Sequence, residues 1–194
     1  MKNKSLWIVL GIVAVVLIWG VGAYNGLVTK DEKVSAAWAN VETVYQRRAD
    51  LIPNLVNTVK GYAAHEQQTL AEVTEARAKS TSISIDPSTA TPAEMEAWMK
   101  AQNEVDSALG RLIAIAESYP DLKANQNFLE LQKQLEGTEN RISTERRKYN
   151  EEVRDYNAKI RRFPTNLIAG MFGFEKRVMF EAQEGANIAP VVEF

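Results

Sequence analysis

Few residues of this chain could carry out a reaction, and their spacing fits neither a metal site nor an acid–base pair. His65 and Glu66 match the first half of the zinc-binding pattern H-E-x-x-H, but Thr69 stands where the second histidine is needed. His65 is therefore predicted to be a surface or capping residue. Two acidic pairs fit solvated helix faces better than a general acid and base, namely Glu72 with Glu75 and Glu151 with Glu152.

Composition removes most other chemistry. The 194 residues include no cysteine, which excludes disulfide scaffolds, iron–sulfur clusters, cysteine-based zinc sites and thiol nucleophiles. The formal net charge of -2 at pH 7 provides no general electrostatic reason to bind nucleic acid. We therefore expect no catalytic residue, no cofactor, no metal and no nucleic-acid partner, and a hydrolase that holds metal through carboxylates and amides ranks last.

The densest polar cluster comprises Arg47, Arg48, Asp50 and Asn54. One interpretation makes the two arginines a docking point for an anionic lipid headgroup or a partner carboxylate, since guanidinium presents a planar, two-pronged set of donors. The favoured interpretation is an arginine–aspartate network that closes an interhelical hairpin, with asparagine side chains satisfying free helix ends.

Residues 6–26 are predicted to be a transmembrane helix. The 18 residues from 6 to 23 are uncharged, and a helix of roughly 20 mostly apolar residues crosses the hydrocarbon of a bilayer. Trp7 lies at one end of the segment, with Trp19 and Tyr24 near the other, as aromatic residues do at headgroup level. The alternative is a cleaved signal peptide, although the apolar run exceeds the usual length of its central region.

The residues around this segment indicate its orientation in the membrane, and its contacts with other helices, only weakly. The basic N-terminus, residues 1–5, carries two lysines, and two more follow the segment. Because the counts are nearly equal, the positive-inside rule gives only a preference, for the bulk of the chain outside the cytoplasm. Gly22 and Gly26 form a G-x-x-x-G that can let two membrane helices approach closely.

The rest of the chain, residues 27–163, is predicted to form an all-α, antiparallel bundle of about four long helices. The first helix, about 27–50, continues the membrane helix. Pro53 marks a turn into a second helix that ends near residue 79, since proline suits a first helical turn. Serine, threonine and proline dominate residues 80–92, which predicts a loop.

The third helix has a capping box formed by Thr91 and Glu94, with Pro92 at its first position. The last long helix shows an apolar residue at every seventh position, which is typical of a bundle or coiled coil: Phe128, Leu135, Ile142, Tyr149, Tyr156 and Phe163. Residues 164–194 are predicted to be a short extended or irregular tail packed on the bundle.

Two stretches of the chain resemble the bacterial LemA family. The first spans residues 24–79 and contains RRADLIPNLV with HE and ARAK downstream, and the second comprises YN at 156–157, FP at 163–164 and GF at 173–174. The resemblance implies an anchored domain of long antiparallel helices, and it implies no activity and no catalytic residue. With the apolar segment, it places the chain as a single-pass protein of the bacterial cytoplasmic (inner) membrane.

Two functional hypotheses follow. The leading one is a membrane-anchored, self-associating scaffold or interaction protein at the cell envelope, whose partners are the lipid bilayer, further copies of itself and other membrane proteins. The alternative is a sensor or adaptor that binds a hydrophobic peptide or lipid. In that case Phe172, Phe174 and Phe180 of the tail line or plug a groove between helices.

Overall fold

The computed structural model describes residues 2–181 and confirms an all-α fold. Its helices, in chain order, are α1 (Lys2–Lys60), α2 (Gln67–Ser82), α3 (Pro92–Ala116), α4 (Pro120–Lys123), α5 (Gln126–Arg161) and α6 (Thr165–Phe172). Four of them are long, and they pack as a bundle. Ion pairs between α2 and α3 join Lys79 to Glu104 and Arg111 to Glu72, so these two helices run antiparallel.

Helix α1 is a single helix of 59 residues that starts in the apolar segment and continues into the bundle. The predicted turn at Pro53 is wrong, since Pro53 lies inside α1, and the chain turns over residues 61–66 instead. Apolar residues on both sides of the proline explain this, because Ile52, Leu55 and Val59 are fully buried. Burying each such side chain stabilises by about 1.5–3 kcal/mol, which exceeds in sum the roughly 3 kcal/mol cost of an internal proline.

An arginine from α2 repairs the hydrogen bond that Pro53 removes. Proline has no N–H, so the carbonyl four residues earlier, that of Ala49, loses its helical donor. The Nε of Arg77 donates a hydrogen bond of 2.6 Å to this carbonyl oxygen. Arg77 thereby satisfies a backbone group of α1 and ties α2 to α1 at the same point.

The boundaries of α2 differ from the prediction. It extends to Ser82, so the loop comprises residues 83–91 rather than 80–92. The hydroxyls of Ser80, Thr81 and Ser82 each donate to a backbone carbonyl three or four residues earlier. Such local bonds let serine and threonine complete a helix end that composition alone suggests to be a loop.

Helix α3 begins as predicted. Thr91 Oγ1 accepts a hydrogen bond of 3.2 Å from the Glu94 N–H, and a Glu94 carboxylate oxygen accepts one of 2.8 Å from the Thr91 N–H. These two bonds complete the capping box, and Pro92 occupies the first helical position. α3 ends at Ala116, and Pro120 begins the short α4.

The heptad residues of α5 form the spine of the core. Five of the six are buried, and the sixth, Phe163, is exposed just beyond the end of the helix. α5 runs antiparallel to α1, since Lys30 pairs with Asp155 and Arg48 with Glu139. The core has two apolar clusters: one near the apolar segment, built on residues such as Val34, Trp38, Trp98, Tyr149 and Tyr156, and one distal, built on residues such as Ile52, Leu55, Val105, Leu112 and Phe128.

The N-terminal part of α1 stands apart from the bundle. Its apolar window has a mean hydropathy of 2.6 and is not buried against the described residues, and it is long and apolar enough to cross a membrane. At the other end of the chain, the predicted irregular tail opens with α6, a helix of eight residues. Residues 174–181 then run without helix or strand, and the remainder of the predicted tail lies outside the described residues.

The bond between Arg77 and Ala49 predicts a coupling between positions 77 and 53. Arg77→Ala should lower the free energy of unfolding by about 1.5–3 kcal/mol, since the lost hydrogen bond has a charged donor. Pro53→Ala restores an N–H for the Ala49 carbonyl, so the same Arg77→Ala change should cost much less in that background. Chemical unfolding of the four detergent-solubilised variants, followed by circular dichroism, measures the cycle. Equal costs in both backgrounds would contradict the proposed compensation.

Candidate functional site

The C-terminal segment, residues 174–181, lies along α5 and is held there by two asparagine side chains. Asn157 Nδ2 donates to the Arg177 carbonyl at 2.9 Å, and its Oδ1 accepts from the Arg177 N–H at 3.0 Å. Asn150 makes the same pair of bonds with Phe180, at 2.9 and 2.8 Å. Each amide thus satisfies both backbone groups of one residue in an extended chain.

The distance between the two asparagines along α5 is close to the distance between the two residues that they bind along the extended segment. Asn150 and Asn157 lie seven positions apart on α5, which is about 10.5 Å at 1.5 Å per residue. Arg177 and Phe180 lie three positions apart, which is about 10 Å at the 3.2–3.4 Å rise of an extended chain. The segment runs antiparallel to α5, so two turns of helix present one amide to every third residue of the bound chain.

The Phe180 ring occupies an aromatic pocket between α1, α3 and α5. Phe180 is 5 % exposed. Its ring centroid lies 5.8 Å from that of Trp38, 6.0 Å from Trp98 and 5.2 Å from Tyr149. The guanidinium carbon of Arg146 lies 4.8 Å from the Phe180 ring centroid and covers its outer face. Four side chains therefore enclose one ring, by aromatic and cation–π contacts.

Hydroxyl and indole groups add a polar element to this pocket. The Tyr149 hydroxyl donates a hydrogen bond of 3.0 Å to the Val178 carbonyl. Burial raises the pKa of Tyr149 to about 12, so this donor keeps its proton at physiological pH. Among the described residues, the buried Trp38 Nε1 has no hydrogen-bond partner.

Arg177 fastens the start of the segment to α1 and to the loop 83–91. Its Nη2 lies 2.6 Å from Asp31 Oδ1, and its Nη1 donates to the Ser88 carbonyl. The guanidinium carbon lies 5.5 Å from the Tyr156 ring centroid. Arg177 and Phe180 thus anchor the segment through their side chains, one charged and one aromatic, in addition to their backbone hydrogen bonds.

The structure separates the three phenylalanines predicted for a tail groove. Phe180 fills the aromatic pocket. Phe174 and Phe172 lie instead against Tyr24 of α1, with centroid distances of 5.7 and 4.8 Å. Phe172 is the last residue of α6 and is exposed, so these two rings mark a second surface near the apolar segment.

Arg48 is the centre of a second buried site. It is 1 % exposed. Its Nη1 donates to Asp106 and, at 3.2 Å, to Glu139, and its Nη2 donates to Gln102 Oε1 at 2.8 Å. Its guanidinium carbon lies 4.9 Å from the Tyr45 ring centroid. Arg48 of α1 therefore joins α3 to α5 through charge-assisted hydrogen bonds, which are the structural ties that a buried charge requires.

The other members of the predicted hairpin network lie elsewhere. The structure has no hairpin at Pro53, because α1 continues there, so the four residues lie along one helix. Arg47, Asp50 and Asn54 are exposed, and Asp50 accepts a hydrogen bond of 2.7 Å from Gln46 rather than from an arginine. The acidic partners of Arg48 come from α3 and α5, which no local pattern near residue 48 could indicate.

The remaining candidates occupy open positions. Gly22 is exposed and Gly26 is half-buried, and a Cβ added at either would meet no atom within 4 Å. This leaves the predicted contact between anchors as a prediction. His65 is exposed in the turn after α1. Within residues 2–181 no group of three histidine, aspartate or glutamate side chains is placed to hold a metal ion.

The two asparagines that bind the tail receive no role in the sequence analysis, although Asn157 belongs to one of the motifs of the family resemblance. A signal was present, since a Tyr-Asn pair occurs at 149–150 and again at 156–157, seven positions apart. The tyrosines fit the apolar heptad, and the asparagines after them lie one step around the helix. Repetition of an amide at that spacing places both side chains at one edge of the buried face, where the structure shows them bonded to the backbone of the tail.

The fold and these sites describe a helical bundle on a long apolar N-terminal helix. A family model described as "LemA family" matches residues 37–194, and the chain belongs to this family. Together with the N-terminal helix, this indicates a membrane-associated protein.

Three curated relatives illustrate the range of the match. "Protein LemA" of Metamycoplasma hominis is 28 % identical over 164 residues, which cover 84 % of this chain and 71 % of that protein. "Magnetosome protein MamQ 2" of Paramagnetospirillum magneticum is 27 % identical over 186 residues, which cover 87 % of this chain and 68 % of that protein. "Magnetosome protein MamQ" of Magnetospirillum gryphiswaldense matches with the same identity and coverage.

The aromatic pocket predicts a large cost for removing its occupant. Phe180→Ala should lower the free energy of unfolding by about 3–5 kcal/mol, as buried phenylalanine truncations do. The neighbouring Met179, which is exposed, provides the control, and Met179→Ala should change it by no more than about 0.5 kcal/mol. Urea unfolding of the solubilised chain measures both. Similar small losses for the two variants would contradict tight packing of the Phe180 ring.

The Arg48 site predicts a pH dependence carried by Asp106. Burial raises the pKa of Asp106, and this outweighs the opposing effect of Arg48. The folded state therefore binds this proton more tightly than the unfolded state, so Asp106 favours folding increasingly as pH falls through its raised pKa. On acidification, the free energy of unfolding of the wild type should rise relative to that of Asp106→Asn. A difference that is flat with pH, or that shifts the other way, would refute the assignment.

Proposed function

We propose that this LemA-family protein is a membrane-anchored adaptor whose bundle binds an extended peptide segment, with its own residues 174–181 as the resident occupant. The observation that carries the proposal is the pair of two-pronged amide contacts from Asn150 and Asn157 to the backbone of the segment. Bonds to the backbone recognise any extended chain, so they suit a site that exchanges one segment for another.

Side-chain anchors give this site a preference. The pocket of Trp38, Trp98 and Tyr149 takes an aromatic ring. The Asp31 carboxylate takes a basic side chain three residues earlier in the bound chain. A competing ligand should therefore carry a basic residue and, three positions later, a phenylalanine, with an extended backbone between them.

The resident segment also regulates access. An attached ligand acts at an effective concentration in the millimolar range, so a foreign peptide competes poorly until the tail is released or weakened. Such a site is closed by default and opens when a stronger ligand, or a change at the tail, displaces the segment. This is the behaviour of a sensor or adaptor rather than of a constitutive receptor.

Anchoring supplies the location of the site. Residues 6–26 hold the chain as a single-pass protein in the bacterial cytoplasmic membrane, with the bundle on the outer side. The exposed side chains of the apolar window and its length support the span, whereas the nearly equal numbers of flanking lysines give only a preference for this orientation. Peptides or partner tails at the membrane surface are then the ligands within reach.

Self-association remains the second candidate. Every copy carries both the groove and a cognate segment, so exchange of tails between two copies would make the same contacts in trans. Exposed apolar side chains on the bundle give self-association little support. Between residues 27 and 162 the exposed large apolar side chains are Tyr62 and Leu129, which lie on separate elements.

Competition for the groove tests the adaptor proposal. A fluorescent peptide of residues 174–181 should bind the solubilised full chain carrying Phe180→Ala at least about tenfold more tightly than wild type, because the resident tail no longer fills the pocket. Adding Asn150→Ala should weaken binding about tenfold or more, since two backbone hydrogen bonds are lost. Fluorescence anisotropy measures the affinities.

The controls separate specific binding from a loosened fold. Asn140→Ala, at an exposed asparagine of the same helix, should leave peptide binding unchanged, and the peptide with alanine in place of Phe180 should not bind. Phe180→Leu serves as the host if Phe180→Ala lowers the helical signal in circular dichroism. A well-folded host that fails to bind the peptide would disprove the adaptor function. Wild type that is dimeric in mild detergent, with a monomeric Phe180→Ala variant, would favour tail exchange instead.

A further inference from the structure

Helix α6 has two apolar faces, and only one of them contacts the protein. Thr165 and Ala169 are buried and Ile168 is half-buried, at the spacing of one helical face. The opposite face carries Leu167, which is 58 % exposed, and Met171, which is 74 % exposed. The helix itself, TNLIAGMF, contains no charged residue.

Two phenylalanines add exposed apolar surface at the ends of this helix. Phe163, in the turn before α6, is 80 % exposed, and Phe172, whose ring also contacts Tyr24, is 57 % exposed. Together Phe163, Leu167, Met171 and Phe172 form what we call the α6 apolar stripe. Four large apolar side chains exposed on a short, uncharged helix and on the turn before it are unusual for a surface that faces water.

The level of α6 along α1 identifies what covers the stripe. A Cβ placed on Gly20 would lie 3.9 Å from Ile168 Cδ1, and the Tyr24 ring contacts those of Phe172 and Phe174. α6 therefore packs beside residues 20–24 of α1, which are the last turn or two of the predicted span. With the proposed anchoring, a bilayer surrounds the protein at that level, so the stripe and the exposed side chains of the span would meet one continuous apolar environment.

Charged residues bracket the stripe. Arg161 and Arg162 are exposed just before it, and Lys176 is exposed just after α6. Basic side chains beside an apolar helix are the pattern of segments that lie in the interface of a membrane with anionic lipids. The apolar side chains then enter the acyl region while the cationic groups remain with the headgroups.

We propose that the α6 apolar stripe is embedded in the same leaflet that receives the C-terminal end of the apolar segment, as a second membrane contact beside the span. The inference rests on the proposed anchoring and does not depend on peptide binding. Helices of this type insert about 5–10 Å into the boundary between headgroups and acyl chains. A second contact prevents α1 from rotating freely about its axis.

The position of α6 also gives the groove an orientation. The tail segment follows α6 directly, and it meets Asn157 before Asn150. The Arg177 anchor therefore lies nearer the lipid surface and the Phe180 pocket farther from it. A competing segment of a membrane protein would approach the groove from the membrane side.

Single cysteines test the proposal directly, because the chain has none of its own. Met171→Cys and Leu167→Cys, labelled with a polarity-sensitive NBD fluorophore, are reconstituted as the full chain in vesicles of phosphatidylcholine and phosphatidylglycerol. The emission of both should shift to the blue, and lipids spin-labelled near the headgroup should quench it several-fold more than lipids labelled at the chain end. Ser118→Cys, at an exposed turn of the distal bundle, should show neither effect.

A probe within the span separates failure of this inference from failure of the anchor. Val16→Cys should be quenched best by lipids labelled deep in the acyl region. Quenching at residue 16 with no quenching at 167 and 171 would overturn the α6 contact and leave the anchor intact. No quenching at any of the three would overturn both. Efficient disulfide formation between Met171→Cys copies, without lipid quenching, would overturn it in favour of a second copy on the stripe.

Discussion

The continuity of α1 is the constraint on which the rest of this structure depends. One helix of 59 residues forms the apolar N-terminal segment and also the central wall of the bundle. Because a helix is stiff and rises by about 1.5 Å per residue, each residue of α1 has a defined height above the apolar segment. Tyr24 meets α6, Asp31 meets the start of the tail, Trp38 forms the Phe180 pocket and Arg48 joins α3 to α5. A break anywhere in α1 would uncouple these levels.

Three arginines keep the elements in register around this helix, and each does so by satisfying a group that would otherwise be unpaired. Arg77 satisfies the carbonyl orphaned by Pro53, Arg48 neutralises acids from two helices, and Arg177 binds Asp31 of α1. A buried charge costs several kcal/mol unless it is paired, so Arg48, which is 1 % exposed, strongly favours the arrangement in which its partners are present. The apolar heptad drives the helices together, and the arginines select one alignment among those that bury similar area.

The helical periods predicted most of the architecture, since they report which face of each helix is buried. Apolar residues that recur along α1 at helical spacing are buried, namely Leu27, Val34, Trp38, Val41 and Tyr45. The heptad of α5 is buried except for Phe163, and the capping box of α3 forms as its spacing predicts. The failure at Pro53 has a specific cause. Local preference favours a helix start at a proline, and this was overridden by burial on both sides and by a donor from α2, neither of which a local window contains.

The sequence by itself determined the elements of this protein, namely an apolar segment able to span a bilayer, long amphipathic helices, a capped third helix and the absence of thiol chemistry. Membership of the LemA family also rests on sequence, because the matching motifs lie in the chain itself. Only the tertiary structure decided which acids pair with Arg48, that Asn150 and Asn157 hold the tail, and that α6 lies beside residues 20–24 of α1. The physical reason is that helical periodicity is a local property, whereas these contacts join residues far apart in the chain, whose proximity is set by packing.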